Sequence, residues 1–202
     1  ESIANGAYEG SIGGIGGILE NSSNPVKNNK VLNSTIDIGI KIGGGLIGTT
    51  VSDVTIDNCN VDNVTLNNPN IGYRQSANES TQVTMGGLIG ISSNVVIKNE
   101  SVVKNSNIKI NEGIGKPGLT GGLIGFSSGD AVIELSNVYN TNIINNTPQG
   151  ITGGIVGMMN YAKYTSGTVV KTLNISNVSI ENCENISGKS CWRSIRIWKN
   201  NS

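Results

Sequence analysis

The five-residue block Gly-Gly-Leu-Ile-Gly constrains this chain more than any other feature. It stands whole at Gly44-Gly45-Leu46-Ile47-Gly48, Gly86-Gly87-Leu88-Ile89-Gly90 and Gly121-Gly122-Leu123-Ile124-Gly125. It returns as Gly153-Gly154-Ile155-Val156-Gly157 and, loosely, as Gly16-Gly17-Ile18-Leu19-Glu20. The second glycines fall at positions 17, 45, 87, 122 and 154. A unit recurring on that scale has too little core to stand alone, so neighbouring units must stack.

Behind each block comes a run such as Val54-Thr55-Ile56-Asp57-Asn58-Cys59 or Val95-Val96-Ile97-Lys98-Asn99, then further Val and Ile divided by Asn, Ser and Asp. These runs are β-branched with partial period-2 alternation, and no window offers a sustained helical stripe. The expected class is therefore all-β: a right-handed parallel β-helix with about five irregular coils and protruding loops. Three short strands per coil fit each repeat, with Leu46, Leu88, Leu123 and Ile155 on one interior ladder. Two smaller coils per repeat is the competing reading. Variation in repeat length is expected at one place, between the third strand and the next block, where Pro69, Pro117 and Pro148 stand.

The paired glycines read as corners that allow positive φ and close approach of successive coils. In a regular strand, Leu facing in turns the following Ile out, unless the strand is covered on both faces. Asn33-Ser34-Thr35-Ile36, Asn105-Ser106-Asn107-Ile108 and Asn140-Thr141-Asn142-Ile143 are alike. Stacked coils would bring their amides into register about 4.8 Å apart as an asparagine ladder.

Chemistry is constrained mostly by what the chain lacks. There is no histidine among 202 residues, which removes Ser-His-Asp and Cys-His nucleophilic catalysis. With 3 cysteines there is almost no ligand set for zinc, so no metal and no cofactor is expected. The glycine block lacks the Lys-Ser/Thr ending of a phosphate loop. Fourteen basic residues balance 14 acidic ones, so nothing steers the surface toward nucleic acid or anionic membrane. No stretch reaches the length of apolar chain needed to cross a bilayer, and membrane insertion is not expected. Asp53, Asp57 and Asp62, flanked by Glu100 or Glu134 from neighbouring coils, are the carboxylates a polysaccharide-processing β-helix would use.

The ends differ from the middle. Residues 1–20 are small and glycine-rich without a leader-like segment and read as a mature chain or fragment. Ser11 to Leu19 is either a degenerate capping coil or the continuation of coils upstream. Residues 1–182 read as the solenoid and 183–202 as a C-terminal cap or junction, in which Ser194 to Trp198 forms a last strand. Both tryptophans, Trp192 and Trp198, lie there. With Tyr73 and Arg74 in the long polar stretch Ile71 to Gln82, they are the candidate interaction residues. Cys59 and Cys183 both follow an asparagine, in coils several steps apart. A Cys183–Cys191 disulfide would close a short terminal loop.

Gly44 to Gly48 followed by Val54 to Cys59 resembles the GLUG repeat, written roughly as GGLVG, a polar turn, then a short I-x-N-C/S strand. The blocks at Gly86, Gly121 and Gly153 match in their glycines, and the likeness spans most of Gly16 to Cys183. The chain departs in omitting the usual glycine after the second strand and in its abundance of asparagine. Such repeats occur in large secreted or surface-anchored bacterial proteins, including adhesin-like proteins and noncatalytic portions of immunoglobulin A peptidases. The resemblance implies an extracellular scaffold and assigns no catalytic residue. The function expected is a noncatalytic structural or adhesive scaffold, a subunit or segment of a surface filament. Its partners would be protein (itself, head to tail, or a larger surface assembly), with carbohydrate as the other candidate. Sequons such as Asn33, Asn63 and Asn78 agree with an extracellular site, although a chain this rich in Asn, Ser and Thr makes them by chance.

Overall fold

One repeat makes one coil of a parallel β-helix. The computed structural model describes residues 10–20, 23–38, 41–68, 83–111, 118–147, 150–159, 163–164, 167–168, 172–183, 186–187, 190–192 and 195–197. No helix occurs among them. The third coil shows the plan: Thr84–Gly86 lies in sheet A, Ile89–Ser92 in sheet B and Val95–Lys98 in sheet C. Val102–Lys104 and Asn107–Ile110 together lie in sheet D. Every coil repeats that order, and each strand pairs in parallel with its counterpart one coil away, as Val96 does with Thr55 and Val132. Five coils carry all four sheets. Ser190–Trp192 and Ile195–Ile197 then begin a sixth on sheets A and B. The ladder thus runs on past residue 183, with Ile195–Ile197 as the terminal strand of its sheet.

Three expectations about the glycine block change. In the first coil the block is Gly13-Gly14-Ile15-Gly16-Gly17 and not the stretch from Gly16 to Glu20, because Gly13 pairs with Gly44 and Gly16 with Ile47. Coils have four sides rather than three, because the block itself contains a corner: sheet A ends on its first glycine and sheet B starts on its isoleucine or valine. Leu88 and Ile89 therefore do not alternate along one strand, and both are fully buried. The glycines do not supply positive φ either. Among the described glycines only Gly10 has it. They supply close approach. A Cβ on Gly121 would collide with Ile124 O, and one on Gly122 with Gly154 O of the next coil. On Gly90 it would lie 2.7 Å from Gly43 O in sheet A. Sheet B is folded hard against sheet A, which is why Thr84–Gly86, Leu119–Gly121 and Ile151–Gly153 are buried along their whole length.

The interior column forms as expected. Leu46 N donates to Leu88 O at 3.0 Å, Leu88 N to Leu123 O at 2.9 Å and Leu123 N to Ile155 O at 2.9 Å. Sheets C and D close the core with Ile56, Ile97 and Ile133 and with Val61, Val103 and Val138, all buried. Insertions sit at two places and not one. Besides the stretches between sheets D and A, the fifth coil has residues 160–171 between sheets B and C. There Lys163–Tyr164 and Gly167–Thr168 pair antiparallel.

Asparagine takes the left-handed corners. At the bend of sheet D, Asn33, Asn63, Asn105, Asn140 and Asn182 have φ of 49, 55, 51, 49 and 50°. Asn and Gly bear that conformation best, since other L-residues crowd Cβ against the following carbonyl. Asn63 Nδ2 donates to Asn33 Oδ1 at 2.8 Å and Asn140 Nδ2 to Asn105 Oδ1 at 3.0 Å, while Asn105 Nδ2 turns to Asp62 Oδ1 at 2.8 Å, so the expected ladder forms as two amide pairs joined through an aspartate, and the same torsion recurs at Asn63 and Asn182. A second column, between sheets C and D, holds Asn28, Asn58, Asn99 and Asn177, but Leu135 at φ 47° in the fourth coil. Leu135 is 50% exposed, so little burial offsets its conformation. Leu135→Asn is expected to stabilise the chain by about 1 kcal/mol and to raise its melting temperature by about 2–4 °C. Thermal unfolding followed by circular dichroism checks this.

Candidate functional site

The outer face of sheet C carries a groove of about 480 Å³. Its floor is Thr55, Val96 and Val132, in register across three coils. One rim is the column Asp53, Asn94 and Asp130 at the corner between sheets B and C, Lys98 stands at the other side, and Pro25 closes one end. Asn94 ties the rim together: its Nδ2 donates to Asp53 Oδ1 at 2.8 Å, and its Oδ1 accepts Asp130 N at 2.9 Å. Asp130 Oδ1 in turn accepts Thr172 N at 2.6 Å. Asp53 and Asp130 are two coils apart, about 9.6 Å along the stack. Sequence reasoning selected Asp53 and missed Asp130. The signal was there, because each directly precedes the first inward residue of sheet C, Val54 or Ala131.

The other candidate carboxylates are structural. Asp57, almost buried, accepts Asn99 Nδ2 at 2.9 Å and pairs with Lys27 Nζ at 3.7 Å. Asp62 accepts Asn105 Nδ2 at 2.8 Å and pairs with Lys104 Nζ at 3.2 Å. Lys104 also stands 5.9 Å from the Tyr139 ring centroid. Its hydrogen bond and charge attraction to Asp62 raise its pKa. Asp53 and Asp57 flank one strand, about 13 Å apart, beyond the roughly 5–9.5 Å that places two carboxyls across a glycosidic bond. Glu100 sits in a left-handed corner at φ 61° and Glu134 is exposed at the end of sheet C. Neither joins a carboxylate pair with Asp57 among the described contacts.

Cys59 and Cys183 each follow a left-handed asparagine, Asn58 or Asn182, but at different corners. Cys59 N donates to Ser101 Oγ of the next coil at 3.2 Å, and Cys59 Sγ donates to Asp57 O at 3.5 Å. Ser101 and Ser136 make the matching bonds to Lys98 O and Glu134 O at 2.8 Å each. Cys183 takes the place that Thr141 and Ser106 hold at the bend of sheet D, its Sγ donating to Glu181 O at 3.4 Å. The expected Cys183–Cys191 bridge is not formed, for Cys183 is a free thiol engaged at its own corner. Burial raises the pKa of both Cys59 and Cys183, so these are corner donors and poor nucleophiles.

The glycine-block residues all lie in the stack as described above. Of the interaction candidates, Tyr73, Arg74 and Trp198 lie outside the described residues. Trp192 is in sheet A, in register with Gly153, and its side chain is outside the described set, as is that of Cys191. Asn78 also falls outside it. Comparison of the chain with protein-family models, with curated proteins and with solved structures finds no match.

Proposed function

We propose that the chain is a noncatalytic structural or adhesive scaffold of an extracellular surface assembly, with protein as its principal partner. The observation that carries this reading is the fate of its outward polar groups. Asp57, Asp62, Asn63, Asn105 and Asn140 are spent on bonds between coils, which stiffen a rod. An enzyme holds such groups ready for substrate. The resemblance to GLUG repeats supports a place at the cell surface. Antibody labelling of intact source cells tests that place: labelling without permeabilisation is expected, and labelling only after permeabilisation would overturn it.

A polysaccharide-processing β-helix is the second reading, favoured by one observation, the Asp53–Asp130 pair on the groove of sheet C. Their separation approaches the spacing of inverting glycosidases. Incubation with a panel of polysaccharides, with reducing ends measured, separates the two readings. The scaffold releases none. Release that disappears in Asp53→Asn would establish the enzyme instead.

A further inference from the structure

The groove on sheet C is flanked by two columns of opposite chemistry. Its floor is the outward column Thr55, Val96 and Val132, each half-buried and stacked at about 4.8 Å. On one side runs the acceptor column Asp53, Asn94 and Asp130, fixed by hydrogen bonds from coil to coil. On the other runs the charge column Lys27, Asp57 and Lys98, in register across three coils. The two columns stand about 13 Å apart, four residues along a strand, and both follow the stack. The groove's volume of about 480 Å³ falls within the roughly 300–1,000 Å³ of small-ligand sites.

These features restrict the occupant. An extended peptide brings backbone N–H and C=O groups that need partners. Sheet C offers few, because Val54–Asp57, Val95–Lys98 and Ala131–Glu134 each pair with a strand on both sides. A polyanion would lie against Asp53 and Asp130, and a polycation against Lys98. A sugar ring has neither conflict. Its C–H face is apolar and its hydroxyls stand at the ring edge, where each can donate to a carboxylate or accept from an ammonium. A carboxylate takes about four hydrogen bonds, so Asp53 and Asp130 can accept from hydroxyls in addition to the bonds that fix them.

We propose that this groove binds a neutral, linear oligosaccharide laid along the stack. Its ring faces rest on Val96 and Val132, and its hydroxyls reach the Asp53–Asp130 column on one side and Lys98 on the other. The described lining contains no aromatic ring, which places the Kd of a single groove at about 1 mM. An adhesive surface reaches useful strength at that affinity by presenting many copies. The inference rests on the scaffold reading and gives its adhesive side a ligand class and a place.

The test uses the full chain labelled at its valine methyls and reads the Val96 and Val132 signals during titration. The probes are neutral linear hexasaccharides of glucose, galactose, mannose and N-acetylglucosamine. The anionic hexamer of galacturonic acid, the cationic hexamer of glucosamine and a neutral extended peptide are run beside them. At least one neutral hexasaccharide is expected to shift both signals saturably by about 10 mM, leaving the interior Val61 and Val103 unmoved. Val96→Glu and Val132→Glu, at outward side chains, are each expected to weaken that binding at least ~10-fold with the melting temperature unchanged. No saturable shift with any neutral probe, undiminished binding in both variants, or a preference for a charged hexasaccharide or the peptide overturns the inference. Reducing ends are measured in the same samples. Their release would remove the noncatalytic reading and leave the sugar groove standing, whereas labelling of intact source cells without glycan binding would leave the scaffold and remove the groove.

Discussion

Gly121→Ala is expected to destabilise the chain by about 3 kcal/mol, whereas Gly16→Ala changes stability by less than about 0.5 kcal/mol. Gly121 belongs to the column of first glycines, whereas Gly16 stands where later coils carry the isoleucine or valine that opens sheet B, and the two differ in what a methyl group would meet. At Gly121 it meets Ile124 O in its own coil and Gly157 N at 2.6 Å in the next, and at Gly16 it meets nothing within 4 Å. Backbone atoms on both sides are fixed by the ladder, so the strain cannot be relieved by turning a side chain. Urea unfolding of both variants checks the contrast. Equal costs would mean that the tight turn between sheets A and B is not built as described.

Leu88→Ala is expected to cost about 2–5 kcal/mol, lowering the melting temperature by several degrees at about 2–4 °C per kcal/mol for a chain of this length. Leu88 is fully buried in the middle of the column that links Leu46 to Leu123. A cavity there cannot collapse, because the coils on both sides hold their spacing through backbone bonds. Ile15→Ala at the open end of the same column removes a side chain that is already half exposed and is expected to cost about 1 kcal/mol or less. In a stacked array each coil is stabilised by its neighbours, so damage at the centre uncouples more of the structure than damage at an end. Thermal scans of the two variants, run side by side, measure that gradient.

The class of fold and the stacking of repeats were legible because periodicity carries them. The same is true of the interior column of Leu46, Leu88, Leu123 and Ile155 and of the ladder through Asn33, Asn105 and Asn140. The corner hidden inside Gly-Gly-Leu-Ile-Gly was not legible. A period-2 reading treats Leu88 and Ile89 as opposite faces, and only contact between sheets A and B makes both interior. The division of labour between glycine and asparagine was likewise invisible. Both are turn residues, and assigning positive φ to one and backbone approach to the other needs the distances at Gly121 and the torsions at Asn105. Asp130 was missed because it is 77 residues from Asp53 in the chain, though register makes it a neighbour but one. Sequence spacing makes Cys183–Cys191 a short closable loop, whereas the thiol of Cys183 serves the same corner that the hydroxyl of Thr141 serves one coil earlier.

The fold requires that one repeat forms one coil, in register along the stack. Methyl-to-methyl nuclear Overhauser contacts in a sample labelled at Leu and Ile methyls test that claim most directly. Strong contacts from Leu88 to both Leu46 and Leu123, with none between Leu46 and Leu123, are the result the stacked column requires. Leu46 contacting Leu123 directly, or Leu88 contacting neither, would contradict it.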